Sequence, residues 1–317
     1  MSTPTALSMD CGTFESSLPH PMETGLVDER FSVRDALNEG VSKSTMRGMP
    51  IPFRGARDLS PAATGRDRYE LARNALLKSC LAYASVAPRS YAFSHVTAAG
   101  ILRIPVPHRL PMQPLHVTVP LDVQPPRRVG VAGHRGPIGS RRVGGVPVIP
   151  PELVWLQLAS VLTLDELVVA GDYLVRRKKR LSSMQAIRRA LAEAAGTRGV
   201  ELAREAFADV RANTDSPRES MVRLILVRAG LPEPAIRHTI YHEGAFVGTP
   251  DLAYVAQQIA IEYEGEDHRL NPDIYEDDIY RREMFERAGW HVYLVTAARL
   301  RHPAAVVAHV RELLAAS

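Results

Sequence analysis

The sequence predicts an α/β protein. Its last part, from about Ser216, reads as a mixed sheet flanked by helices, preceded by a helix-turn-helix and an α+β middle region. Three observations lead there. After Ser216 the pattern runs helix, strand, strand, strand, helix, strand, helix. Near the front, Gly40 separates two short stretches that each begin with a capping serine, Ser32 and Ser42. In the middle, Leu115-His116-Val117-Thr118-Val119 alternates as a strand should, among amphipathic helical stretches.

A chain of 317 residues with 45% hydrophobic and 23% charged residues can bury a real core, and its length suggests two or three domains. The two cysteines, Cys11 and Cys80, lie far apart with no CxxC spacing. That argues against a disulfide framework and against a zinc site, and fits a reducing compartment. With no apolar run of membrane-span length and no basic-then-apolar start, the expectation is a cytoplasmic protein without membrane attachment. The net charge of +4 is uneven. From Glu201 onward 13 Arg and no Lys face 19 Asp plus Glu, a net −6, which leaves +10 on residues 1–200. A basic front is compatible with phosphate contacts and an acidic back with a metal-holding carboxylate cluster, although a solvated surface gives the same counts.

Residues 1–28 are rich in Ser, Thr, Pro and Gly without apolar period, which predicts a mobile stretch. In 29–62, Ser32 caps a helix carrying Ala36 and Leu37, Gly40 ends it, and Ser42 caps a second, polar helix. This is the outline of a helix-turn-helix, with Lys43 and Arg47 facing DNA, and equally of a plain helical corner. Residues 63–198 form the α+β region: a helix over Asp67–Val86, a short helix after Ser94, the strand at Leu115, and helices from Pro151 and Leu164. Arg127 and Arg128 lie in a basic loop suited to phosphate. The run Arg176–Arg180 suits phosphate or simply solvent. Residues 199–317 carry a helix from Ser216 to near Gly230, strands over Ala235–Tyr241, Pro250–Val255 and Ile259–Tyr263, a helix over Ile274–Ala288, a strand over Trp290–Thr296, and a closing helix from Pro303.

Chemistry concentrates in this last domain. Asp251 starts one strand, and Glu262 and Glu264 end the next. The turn Ala256-Gln257-Gln258 makes the two a hairpin, bringing the first strand's start beside the second's end. Alternation puts Glu262 and Glu264 on one face and Ile261 and Tyr263 on the other. Glu219, in Ser216-Pro217-Arg218-Glu219, lies on the preceding helix, where it is a capping-box acid, a site acid, or both. Converging carboxylates are costly without a cation, and oxygen ligands suit Mg²⁺ or Mn²⁺. His268 follows as a general base, a phosphate contact or a plain loop histidine, and Arg281 and Arg282 on the next helix can grip phosphate.

These residues carry a resemblance. Pro250-Asp251, Ile261-Glu262-Tyr263-Glu264-Gly265 through His268-Arg269, Asp278 to Arg282, and Arg287 through Gly289-Trp290-His291-Val292 resemble a bacterial family of endonuclease-like domains. That family is related to the very-short-patch-repair endonucleases of the PD-(D/E)XK superfamily. The resemblance covers about Ser216 to Ser317. It implies a mixed sheet with flanking helices, phosphodiester hydrolysis, Asp251 and Glu262 as ligands of Mg²⁺ or Mn²⁺, Glu219 as the helix acid, and His268 as the short-patch-like histidine. One departure stands out: Glu264 occupies the place of the superfamily's lysine, and no lysine follows Lys179. Phe31 to Arg57 and Ser94 to Leu174 also resemble the helix-turn-helix and middle region of type IV abortive-infection antitoxin-like proteins, which implies DNA binding and a phage-defence or regulatory setting. The functional expectation is a metal-dependent DNA endonuclease in phage defence or DNA repair, acting alone, as a homodimer or with a partner protein. Its alternative is a non-catalytic, antitoxin-like DNA-binding regulator on a degenerate nuclease fold.

Overall fold

The computed structural model describes residues 29–139, 141–264 and 272–316. The first 28 residues and His268 therefore lie outside the described residues. Contacts divide the chain into two units: one runs to Arg89 and includes Arg128–Gly130, the other takes Ser90–Arg127 and everything from Val131.

In the first unit, β1 (Arg30–Ser32) pairs antiparallel with β2 (Ala56–Asp58). Between them stands α1 (Val33–Asn38), whose cap Ser32 accepts from Asp35 N as the sequence predicts. Gly40 then turns the chain at φ +88°. Here expectation and structure part. No second helix follows: residues 43–48 make turns, with one i→i−4 bond from Met46 N to Ser42 O and i→i−3 bonds from Arg47 N to Ser44 O and from Met49 N to Met46 O. Ser42 Oγ accepts from Thr45 N and also meets the hydroxyls of Ser44 and Thr45, Gly48 adopts φ +88°, and Pro50 lies two residues on. Lys43 and Arg47 are thus exposed on turns, while Met46 and Met49 fold inward against Phe31, Ala36 and Val41. Helix α2 (Arg68–Ala84) begins at Asp67, whose carboxylate accepts from Tyr69 N and Glu70 N.

The second unit starts with β3 (Ala92–Phe93), α3 (His95–Leu102) and β4 (Leu115–Val119), followed by β5 (Arg127–Arg128, of which Arg127 belongs to this unit), β6 (Val131–Arg135), β7 (Arg141–Val143) and β8 (Val146–Val148). The strands assemble in the order β5-β6-β4-β3-β8-β7, with β4 and β6 parallel and β3 and β4 antiparallel. Helices α4 (Pro151–Leu158), α5 (Leu164–Val175), α6 (Met184–Glu193) and α7 (Val200–Asp209) follow. Trp155 of α4 is fully buried and its indole N–H donates to Leu167 O at 2.8 Å.

The last part contains α8 (Pro217–Arg228), β9 (Ala235–Ile236), β10 (Ile240–His242), β11 (Ala245–Gly248), β12 (Leu252–Tyr254), β13 (Ile259–Glu264), α9 (Pro272–Arg287), β14 (His291–Thr296), α10 (Ala297–Leu300) and α11 (Pro303–Ala316). The sheet order is β14-β13-β12-β9: β12 runs antiparallel to both β9 and β13, and β14 lies parallel to β13. One face packs Leu252, Tyr254, Ile259 and Ile261 against Val222 and Leu226 of α8 and Val306 and Val310 of α11. The other sets Ala253 and Ala260 against Phe285 of α9. The strand expected over Ala235–Tyr241 is interrupted, because Arg237 adopts φ +54°. Its second half pairs instead with β11 in a separate hairpin turned by Glu243 and Gly244, both at positive φ. Among the described residues no helix is long and apolar enough to cross a membrane.

Candidate functional site

The hairpin β12–β13 pairs Leu252 with Ile261, so the next position out sets Asp251 across from Glu262. Directly opposed residues of an antiparallel pair share a face. Here it is the face of Ala253 and Ala260, which packs under α9. Asp251 does not extend the ladder; its Oδ2 accepts from Tyr263 N at 2.9 Å and its carbonyl from Arg237 N at 3.0 Å. Glu262, buried at 6% exposure, accepts from Arg281 Nη2 at 2.8 Å. Glu264 lies 3.8 Å from Arg282 Nη2. The two arginines expected to grip phosphate thus come in from α9 over the strand-end acids.

Glu219 reaches the same end of the sheet from α8. Ser216 Oγ accepts from Glu219 N at 3.3 Å, as a capping serine should. The carboxylate goes one residue further back than a capping box, accepting from Asp215 N at 2.9 Å. Burial, and then the negative charge of Asp251, push the Glu219 carboxyl up to about 7. Asp251 is itself raised, first by burial, while Tyr263 N, Arg281 and Arg237 pull it back. The charge of Asp251 acting on Glu219 puts these two carboxyls in one electrostatic neighbourhood, and Arg281, which pulls on Asp251, also holds Glu262. Asp215 and Arg237 belong to it too, joined at 3.1 Å, with Arg177 Nη2 on Asp215 Oδ2 at 2.6 Å. Sequence reasoning missed both, because Asp215 sits just before the cap and Arg237 at the strand break.

The donors here are carboxylate oxygens, which fit a hard divalent ion. They do not form a closed three-ligand cage, and the Arg281 guanidinium supplies the positive charge that Glu262 Oε2 meets. Elsewhere, Arg127 is exposed on β5, and Arg128 Nη1 donates to Arg54 O within the first unit.

Among the described residues, one group of three ligating side chains has all its donor atoms within 4.8 Å: His95, His116 and His134. A metal ion can be held there. His116 Nδ1 lies 3.0 Å from His134 Nε2, and the His95 and His134 rings stack with centroids 3.9 Å apart. Burial lowers His95 to about 3 and His116 to about 4, and lowers His134 as well. Neutral rings result. Sequence reasoning missed the group, whose members lie far apart in the chain, on β4, on β6 and at the start of α3.

Two curated proteins align with part of this chain. They are the Mycobacterium tuberculosis proteins called Uncharacterized protein MT2308 (strain CDC 1551 / Oshkosh) and Uncharacterized protein Rv2248 (strain ATCC 25618 / H37Rv). Each is 29% identical over 177 residues, 55% of this chain and 64% of the relative. The chain thus spans less than two thirds of the length of the relatives it matches. No protein-family model and no solved structure matches it.

Proposed function

We propose that the chain is a metal-dependent DNA endonuclease whose C-terminal part is a PD-(D/E)XK-type core. The observation that carries the reading is the hairpin register, which sets Asp251 opposite Glu262, with the Glu219 carboxyl raised first by burial and then by Asp251's charge. The order of α8, three antiparallel strands, α9 and a parallel fourth strand supports it. Asp251 and Glu262 hold Mg²⁺ or Mn²⁺, with Glu219 as the third acid. Such an ion, when bound, lowers the pKa of a ligated water and stabilises charge developing at phosphorus. Tyr263 N keeps Asp251 oriented through Oδ2. Arg281 leaves Glu262 for a phosphate oxygen when DNA and metal arrive, because a guanidinium pairs with phosphate as it does with carboxylate. That places a positive charge near the spot that the lysine replaced by Glu264 would serve.

The test is supercoiled plasmid with Mg²⁺ or Mn²⁺. Cleavage by the wild-type protein, abolished in Asp251→Ala and Glu262→Ala with DNA binding retained, is the expected result. A second reading has its own observation: Arg281 and Arg282 already lie against Glu262 and Glu264, as they would in a degenerate site of a DNA-binding regulator. Wild-type protein that binds DNA but leaves every DNA form intact with both metals favours that reading.

A further inference from the structure

The histidine group lies outside the acidic site and has no part in the chemistry proposed there. It is assembled by the six-stranded sheet. His116 is on β4 and His134 on its parallel neighbour β6, where Thr118 pairs with His134. Residues 116 and 118 alternate to the same face, so both imidazoles project from one side of the sheet. His95 arrives at the end of β3, the strand on the other side of β4, as the first residue of α3. Its backbone adopts φ +50°, a left-handed conformation rare for a residue with a side chain and one that recurs at ligand sites. Gln157 Oε1 holds this turn by accepting from His95 N at 2.9 Å.

We propose that His95, His116 and His134 bind one divalent transition-metal ion of the zinc class through one imidazole nitrogen each. Two nitrogens on a tetrahedral zinc ion lie about 3.3 Å apart, given ligand distances of about 2.0–2.1 Å. The His116 Nδ1 to His134 Nε2 separation is 3.0 Å, and one ring nitrogen from each of the three histidines lies within 4.8 Å of the others, close to the span of one ligand set. His95 binds through Nε2, since its Nδ1 lies 3.0 Å from Ser94 Oγ, the outer-shell hydrogen bond that metal-bound histidines use to fix their tautomer. Water takes the fourth position, because all three rings are only half-buried. Imidazole donors select zinc, cobalt or nickel over magnesium, so this site and the acidic one draw on different ions.

The test uses the full chain, stripped of metal with chelator and then dialysed. Cobalt(II) is added while the visible absorption is followed, since a four-coordinate cobalt site absorbs strongly and zinc bleaches it. The expected result is saturation at one equivalent, bleaching by zinc, loss of the band in His134→Gln and in His95→Ala, and an unchanged band in Asp251→Ala. Ser94→Ala weakens binding roughly tenfold or more. A further readout needs no variant: zinc protects the three histidines of the wild-type protein from carbethoxylation, mapped by mass spectrometry. Absence of a saturable band, a band that survives both histidine substitutions, or carbethoxylation unaffected by zinc overturns the proposal and leaves a hydrogen-bonded imidazole stack.

Discussion

At the scale of single residues, Glu219 is where burial and charge meet. Its carboxyl titrates at about 7 in the folded chain, against an ordinary value of 4.5. The folded protein therefore holds a proton that the unfolded chain releases. The stabilisation tied to that proton is complete below about pH 4.5 and disappears as pH rises through about 7. In chelator, urea unfolding at pH 5 and pH 8 should show the wild type losing about 2 kcal/mol more than Glu219→Gln. Equal losses would mean that the carboxylate is not under this electrostatic load. Much of the acidic site was legible at this scale, because alternation places Asp251 and Glu262 once the hairpin is recognised. The histidine group was not: its members are distant in sequence and meet only through the parallel pairing of β4 with β6. Nor was the Arg281 contact, since helical spacing alone does not say which side chain reaches back over a strand.

Between elements, the strongest buried charge joins α5 to α8. Asp172 and Arg223 are 0% and 1% exposed and meet at 2.9 Å. Arg211 N donates to the other Asp172 oxygen, and Arg223 reaches Asp209 O and Glu233 as well. Burial pushes Asp172 up while Arg223 pulls it down. Asp172→Ala leaves the buried guanidinium with only the half-exposed Glu233 as carboxylate partner, and a loss of about 3 kcal/mol in urea unfolding is expected. The hairpin β10–β11 is held differently. A Cβ at Gly248 would stand 2.7 Å from the Phe285 ring of α9, so the strand backbone lies directly on that ring. Gly248→Ala should cost about 1–3 kcal/mol, read from the same unfolding curves. Helices with strong caps and strands with clear alternation could be read from the chain. What escaped were decisions made by single backbone angles: Arg237 splitting one strand into two, Glu243 and Gly244 turning an extra hairpin, and the stretch after Ser42 closing as turns.

For the whole molecule, the charge division gives an expectation of its own. Residues 1–200 carry +10 and the remainder −6, so DNA should be engaged largely through the basic part. Under the proposed function, binding to duplex DNA weakens steeply between about 50 and 200 mM salt, and equally steeply in Asp251→Ala, whose carboxylate is there assigned to the ion rather than the duplex. A salt response that changes with Asp251 would assign the DNA contact to the acidic site instead. The account as a whole depends on the acids of α8, β12 and β13 forming a single site for a hard cation. Its most direct test is calorimetric titration of the chelator-treated protein with Mn²⁺, set beside Asp251→Asn and Glu262→Gln. One saturable site that disappears in both variants, while their folded circular dichroism is retained, is the result the geometry predicts. Wild-type protein that takes up no Mn²⁺, or variants that bind it as well as the wild type, would contradict it.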